Sequence, residues 1–144
     1  MNDAQPNEDK LNENNVQVLK PVYEQWAQGN FRPVTDAYDA DLEWGWSEEF
    51  PDIAGVERGV EGKSEKLLTW LSSWERWRVE AEEYRTNGDF VVVLCRYIGR
   101  GRGSGVDVDT HGAHLWTIKD GRAVRMVVFS DRDRALEAAG LGPS

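Results

Sequence analysis

The sequence predicts an α+β fold of cone shape, with N-terminal helices packed over a curved antiparallel sheet that encloses one mostly apolar pocket. Three observations predict it. Apolar residues recur at helical spacing in the first half of the chain. Long β-branched runs joined by turn signals fill most of the second half. Helices followed by a meander of strands describe an α+β layer architecture. The third observation is length: 144 residues suit one core, and two would leave each half too small.

The elements follow in order. Residues 1–15 are polar and acidic and read as a disordered tail, with a single domain over 16–144. From Val16, apolar positions at Leu19, Val22, Tyr23 and Trp26 define one helical face. Gly29 suits the end of that helix, and Pro21 is a fault inside it, lacking a backbone donor. Phe31, Val34 and Tyr38 suggest a second short helix, with Pro33 in its first turn. Leu42, Trp44 and Trp46 alternate with Asp41, Glu43 and Gly45, the mark of a half-buried strand.

Residues 47–63 read as loop. Ser64 is an acceptable N-cap for a helix carrying Leu67, Trp70, Leu71, Trp74 and Trp77. Strands are then expected at Val79–Arg85, Phe90–Ile98, Val106–Lys119 and Arg122–Ser130. Asn87-Gly88-Asp89 and Lys119-Asp120-Gly121 mark hairpins. Asp131–Ala139 reads as a closing helix ended by Gly140.

A three-residue hairpin loop with a Gly bulge would pair Ile118 with Arg122, Trp116 with Val124 and His114 with Met126. The inward face would then carry Val106, Val108, Thr110, Gly112, His114, Trp116 and Ile118. From the last strand it would carry Val124, Met126, Val128 and Ser130. Val91, Val93, Cys95 and Tyr97 are the inward set on the strand before. The outward face joins Asp107, Asp109 and His111 to an apolar patch at Leu115, Val127 and Phe129. Such a patch predicts a homodimer packed through the outer sheet face. The alternative is that the C-terminal helix covers it.

Composition removes several functions. A net charge of −9 argues against nucleic acid as a partner, because phosphate binders concentrate Lys and Arg. No apolar run approaches a membrane span, and no signal peptide is visible. Cys95 stands alone and forms no internal disulfide, so a cytoplasmic protein is expected. His111 and His114 lie three residues apart and point to opposite faces of a strand. No metal site or cofactor is therefore expected. Gly62-Lys63-Ser64 lacks the upstream glycine of a phosphate-binding loop, and the GRGRGSG run at 99–105 joins strands without opening a helix.

His114 is the ionisable histidine placed inside, a candidate general acid or base with help from Tyr97 or Tyr23. Seven tryptophans in so short a chain exceed what packing requires. Tyr23, Trp26, Trp44, Trp46, Trp70, Trp74 and Trp116 are expected to line an apolar cavity, with Met126, Val128 and Ser130 contributed by the last strand.

The segments VLKPVYEQWAQGNF, DADLEW, ERGVEGKSEKLLTWL and HLWTIKDGRAVRMVVFSDRDRALEAAGL occur in an order that resembles the nuclear-transport-factor-2-like superfamily. The match is to its SnoaL-like and ketosteroid-isomerase-like branch. The resemblance covers most of Val16–Leu141 and implies a pocket for an apolar small molecule in a domain that pairs through its sheet. Trp44 falls where ketosteroid isomerases place their general-base aspartate, and His114 near their oxyanion-hole aspartate. Val128 stands where related cyclases and epoxide hydrolases keep an acidic residue. The resemblance thus leaves two expectations. One is a histidine-assisted isomerase, cyclase or hydratase acting without cofactor on a hydrophobic cyclic or polyketide-like substrate. The other is a non-catalytic dimeric binding protein.

Overall fold

The computed structural model of the chain describes residues 4–31, 36–49, 55–58 and 72–142. Helix α1 (Ala4–Ala27) is followed by strands β1 (Tyr38–Trp46), β2 (Gly55–Arg58), β3 (Trp74–Asn87), β4 (Phe90–Gly101), β5 (Asp107–Lys119) and β6 (Arg122–Phe129). Helix α2 (Arg132–Ala138) closes the described part. Among the described residues no helix is long and apolar enough to cross a membrane.

Helix α1 begins at Ala4, so residues 4–15, expected as a disordered tail, belong to it instead. The reason is visible at Asn15, which is buried and donates to the Gly88 carbonyl at 3.3 Å. That contact anchors the helix on the β3–β4 turn. Leu19, Val22, Tyr23 and Trp26 form the buried stripe, and Pro21 lies on the exposed side. The helix ends in a Schellman motif: Asn30 N donates to Gln25 O, Gly29 N donates to Trp26 O, and Gly29 has φ +80°. Only glycine takes that φ without strain.

Two expected helices need correction. Tyr38 opens β1 rather than closing a helix; of the other positions assigned to that helix, Val34 lies outside the described residues. Trp74 and Trp77 belong to β3, not to a helix; Leu67, Trp70 and Leu71 lie outside the described residues. The helical spacing of the two tryptophans has another origin. The β3–β4 register shifts between Trp74 and Arg76, so that Trp74 faces Gly101 and Trp77 faces Gly99. One extra residue makes a spacing of three act as two, putting both indoles on one face with ring centres 4.6 Å apart.

The six strands form one sheet in the order β2-β1-β6-β5-β4-β3. It is antiparallel except where β1 runs parallel to β6. The β5–β6 hairpin also differs from expectation. Lys119 pairs with Arg122 around a two-residue turn, with Asp120 at φ 51° and Gly121 at φ 77°. That is a type I′ turn. Beyond it, Ile118 pairs with Ala123 but Thr117 with Arg125, leaving Val124 as the extra residue. Trp116 therefore faces Met126 and His114 faces Val128. Ala123 replaces Val124 in the inner core, and Val106 is 60% exposed rather than inward.

The inner face of the sheet packs against α1 around Val91, Val93, Cys95, Trp116, Ile118 and Met126. The outer face has its own core, in which α2 lays Ala135 and Leu136 on Val92, Leu94 and Ala113. Helix α2 thus covers much of the predicted outer patch, with Leu115 and Phe129 packed at its edge and Val127 half-buried beside them. Asp131 caps α2, its Oδ1 accepting from Asp133 N at 2.9 Å and Arg134 N at 3.4 Å. Arg132 donates to Cys95 O and Gly112 O and pairs with Glu82, fastening the helix to three strands.

Candidate functional site

A cavity of about 390 Å³ opens between α1 and the inner face of the sheet. Described residues lining it are Trp26 and Phe31 from the α1 end, Trp44 and Trp46 from β1, and Trp74, Trp77 and Val79 from β3. Tyr97 comes from β4, Val108, Thr110, His111 and His114 from β5, and Met126, Val128, Phe129 and Ser130 from the β6 end. The size suits a small molecule, and a mostly apolar wall with a few convergent polar groups is the usual form of such sites.

The polar groups converge on His114, which is 4% exposed. Tyr23 Oη lies 2.6 Å from His114 Nδ1, and Tyr97 Oη lies 2.9 Å from Nε2. Behind them Trp116 Nε1 donates to Tyr23 Oη at 2.8 Å. Cys95 Sγ approaches Nδ1 at 3.5 Å and donates to Val93 O. Tyr23 stacks on the imidazole with ring centres 5.8 Å apart, and Trp26 meets it edge-on at 5.7 Å. Burial pushes the Tyr23 and Tyr97 phenols well above their ordinary value, and nearby Cys95 adds to both shifts. Burial likewise pushes the Cys95 thiol up, which makes it a poor nucleophile.

Two glycines let the aromatic groups sit where they do. A Cβ on Gly99 would meet the Trp77 ring at 2.5 Å, and one on Gly112 would meet the Tyr97 ring at 2.6 Å. The bare backbone at each position is the seat for a ring from the neighbouring strand. Trp77 then stacks on Tyr97, with ring centres 5.8 Å apart and planes inclined by 13°. The wall of the cavity is thus a run of aromatic faces leading to the Tyr97 hydroxyl.

Of the residues expected at the site, His114, Tyr97, Trp26, Trp44, Trp46, Trp74, Met126, Val128 and Ser130 line the cavity. Tyr23 and Trp116 do not; both are buried behind His114 and reach the site through hydrogen bonds. Trp70 lies outside the described residues. Phe31, Trp77 and Val79 line the cavity without having been singled out. Val108 and Thr110 share the strand parity of His114, a signal that marks their face. Trp77 was hidden by the bulge beside it. His111 is exposed on the opposite face, 3.7 Å from Glu82, and borders the cavity as well.

Other charged groups are not among the described residues that line the cavity, although Glu49 bonds Ser130, which is among them. Arg96 makes a two-pronged pair with Asp109 at 2.8 and 2.6 Å on the exposed face. Glu49 accepts from Ser47 Oγ, Ser130 N, Ser130 Oγ and Asp131 N. Partial burial of Glu49 works against ionisation, but the hydrogen bonds outweigh it and hold the carboxyl below its ordinary value. Among the described residues no three His, Cys, Asp or Glu side chains are grouped to hold a metal ion.

The family model for a SnoaL-like domain matches residues 20–126. Among solved structures, TerC co-crystallised with polyporic acid is 23% identical, with 88% of this chain and 97% of TerC covered and a TM-score of 0.71. A protein of Jannaschia sp. CCS1 named as a SnoaL-like polyketide cyclase is 22% identical, covering 93% of this chain and 96% of that one, with a TM-score of 0.73. A protein of Catenulispora acidiphila DSM 44928 with a ketosteroid-isomerase-like fold, in complex with trimethylamine, is 15% identical. It covers 87% of this chain and 93% of its own, with a TM-score of 0.64. No curated protein sequence matches the chain.

Proposed function

Since the chain belongs to the SnoaL-like domain family of the nuclear-transport-factor-2-like superfamily, we propose that it promotes a proton shift in a hydrophobic cyclic or polyketide-like molecule. The reaction class is isomerisation, cyclisation or hydration. The observation that carries the reading is the imidazole–phenol couple of His114 and Tyr97 at the end of an aromatic cavity. A carbonyl oxygen seated against that couple becomes enolate-like as the neighbouring C–H bond breaks and its proton passes to a basic oxygen of the substrate or to solvent, and the hydrogen bond that the oxygen accepts favours that charge. Tyr97, whose proton is held tightly by burial, remains a donor across the neutral range. TerC, co-crystallised with polyporic acid, and the Jannaschia protein named as a SnoaL-like polyketide cyclase support an oxygenated cyclic substrate by likeness of fold.

A second reading rests on a different observation. Among the described lining residues the cavity has no carboxylate, the usual base for such a proton. A non-catalytic protein that binds an apolar ligand would need none. In either reading we propose a homodimer through the part of the outer sheet face that α2 leaves half-covered, at Leu115, Val127 and Phe129.

Cyclic ketones, epoxides and polyketides are to be screened for binding by tryptophan quenching, then for turnover with wild type and His114→Ala. Turnover lost in the variant supports the enzyme. Binding without turnover in either protein leaves the binding reading, and turnover untouched by the substitution removes His114 from the mechanism. Sedimentation of the wild type beside Val127→Arg tests the dimer: a wild-type monomer at micromolar concentration rules it out.

A further inference from the structure

The hydrogen-bonded chain behind the cavity has a direction, and its origin is a group that cannot reverse. The indole Nε1–H of Trp116 is a donor only, and it donates to Tyr23 Oη at 2.8 Å. Tyr23 must then spend its own proton elsewhere. Its partner at 2.6 Å is His114 Nδ1, a far better acceptor than the thiol of Cys95, which already donates to Val93 O. A neutral imidazole that accepts at Nδ1 carries its proton on Nε2. That proton points to Tyr97 Oη at 2.9 Å. Tyr97, accepting from the imidazole, keeps its O–H for a group in the cavity that it lines.

From this order of donors we infer that Trp116 and Tyr23 are positioning residues that lock His114 in the neutral Nε2–H form. The cavity thereby recognises a hydrogen-bond acceptor oxygen on a flat apolar ligand and discriminates against a donor at the same place. The inference rests on the pocket reading above and sharpens it: His114 acts as a fixed donor behind Tyr97, and not as a proton carrier. The ligand class follows from the walls. Trp77 and Tyr97 present nearly parallel ring faces over Gly99 and Gly112, a lining for a planar ring system with a carbonyl or phenolate oxygen at its edge. The burial that raises the Tyr97 phenol keeps that donor protonated when an oxyanion forms beside it.

Two measurements on the full-length protein test the inference. The first reads the tautomer from the ring-nitrogen shifts of His114 in a proton–nitrogen correlation spectrum, with His111→Asn to separate the two histidines. The expected wild-type spectrum has a pyrrole-type Nε2 and a pyridine-type Nδ1. In Tyr23→Phe, which keeps the ring and removes the lock, the two shifts are expected to move toward one another. A proton on Nδ1 in the wild type, or an unchanged tautomer in Tyr23→Phe, overturns the polarity.

The second measurement uses three planar probes of one shape, read by tryptophan quenching: fluorene without a polar edge, fluorenone with an acceptor, and carbazole with a donor. Fluorenone is expected to bind about threefold to tenfold more tightly than the other two, as for one net hydrogen bond. The difference is expected to vanish in Tyr97→Phe. Equal binding of all three, or a carbazole preference that Tyr97→Phe removes, overturns the acceptor rule while leaving the pocket reading intact. Failure of all three to bind overturns the pocket reading instead, and the tautomer then decides the polarity alone.

Discussion

Replacing Gly112 with alanine tests how the site is seated on its scaffold. The added Cβ would lie 2.6 Å from a ring carbon of Tyr97, 3.1 Å from its hydroxyl oxygen and 2.8 Å from the Phe129 carbonyl oxygen. Ordinary carbon–carbon contact begins near ~3.5 Å, so the ring must retreat by about 1 Å. A retreat of that size is enough to break the 2.9 Å contact with His114 Nε2. The carbonyl belongs to the backbone of β6 and cannot swing aside. Overpacking of this kind costs about 1–3 kcal/mol, equivalent to a fall of roughly 1 M in the urea midpoint. Tryptophan fluorescence during urea titration reads it directly. In a Tyr97→Ala background the ring is gone and only the carbonyl clash is left, so the cost of Gly112→Ala should fall. An unchanged midpoint in wild type, or the same cost in both backgrounds, refutes the seating of Tyr97 on Gly112.

Three further outcomes are expected. Glu49 has a folded-state pKa below its unfolded value, so its contribution is complete above the unfolded carboxylate pKa, about 4.3, and is lost as pH falls through the lower folded value. Glu49→Gln should therefore shrink the stability difference between pH 6 and pH 3 in parallel urea titrations. Asp131→Ala removes the cap of α2 and should cost about 0.5–2 kcal/mol, with faster amide exchange in Asp133 and Arg134 as the readout. Leu136→Ala empties a fully buried site between α2 and the sheet and should cost about 2–5 kcal/mol by thermal or urea melting.

The sequence by itself determined the α+β class, the course of β4 to β6 and the closing helix. Local chemistry settles each of these: β-branched runs stiffen strands, Gly29 and Gly140 stop helices, and Asp120-Gly121 turns a hairpin. It also determined that His114, Trp116 and Ile118 share a face with Val91, Val93 and Cys95, because a strand alternates without exception between bulges. What only the tertiary structure decided lies at the bulges and the interfaces. An extra residue beside Trp74 gives two strand tryptophans a helical spacing, and the two-residue turn together with another extra residue at Val124 moves His114 from Met126 to Val128. A bulge is set by which neighbour the strand must match, and no residue type announces it. That α2 covers much of the outer apolar patch was not legible in sequence either, since burial depends on what arrives to cover it. The direction of the Trp116–Tyr23–His114–Tyr97 chain is likewise tertiary. It joins residues up to 93 positions apart, and only their meeting fixes which of them donates.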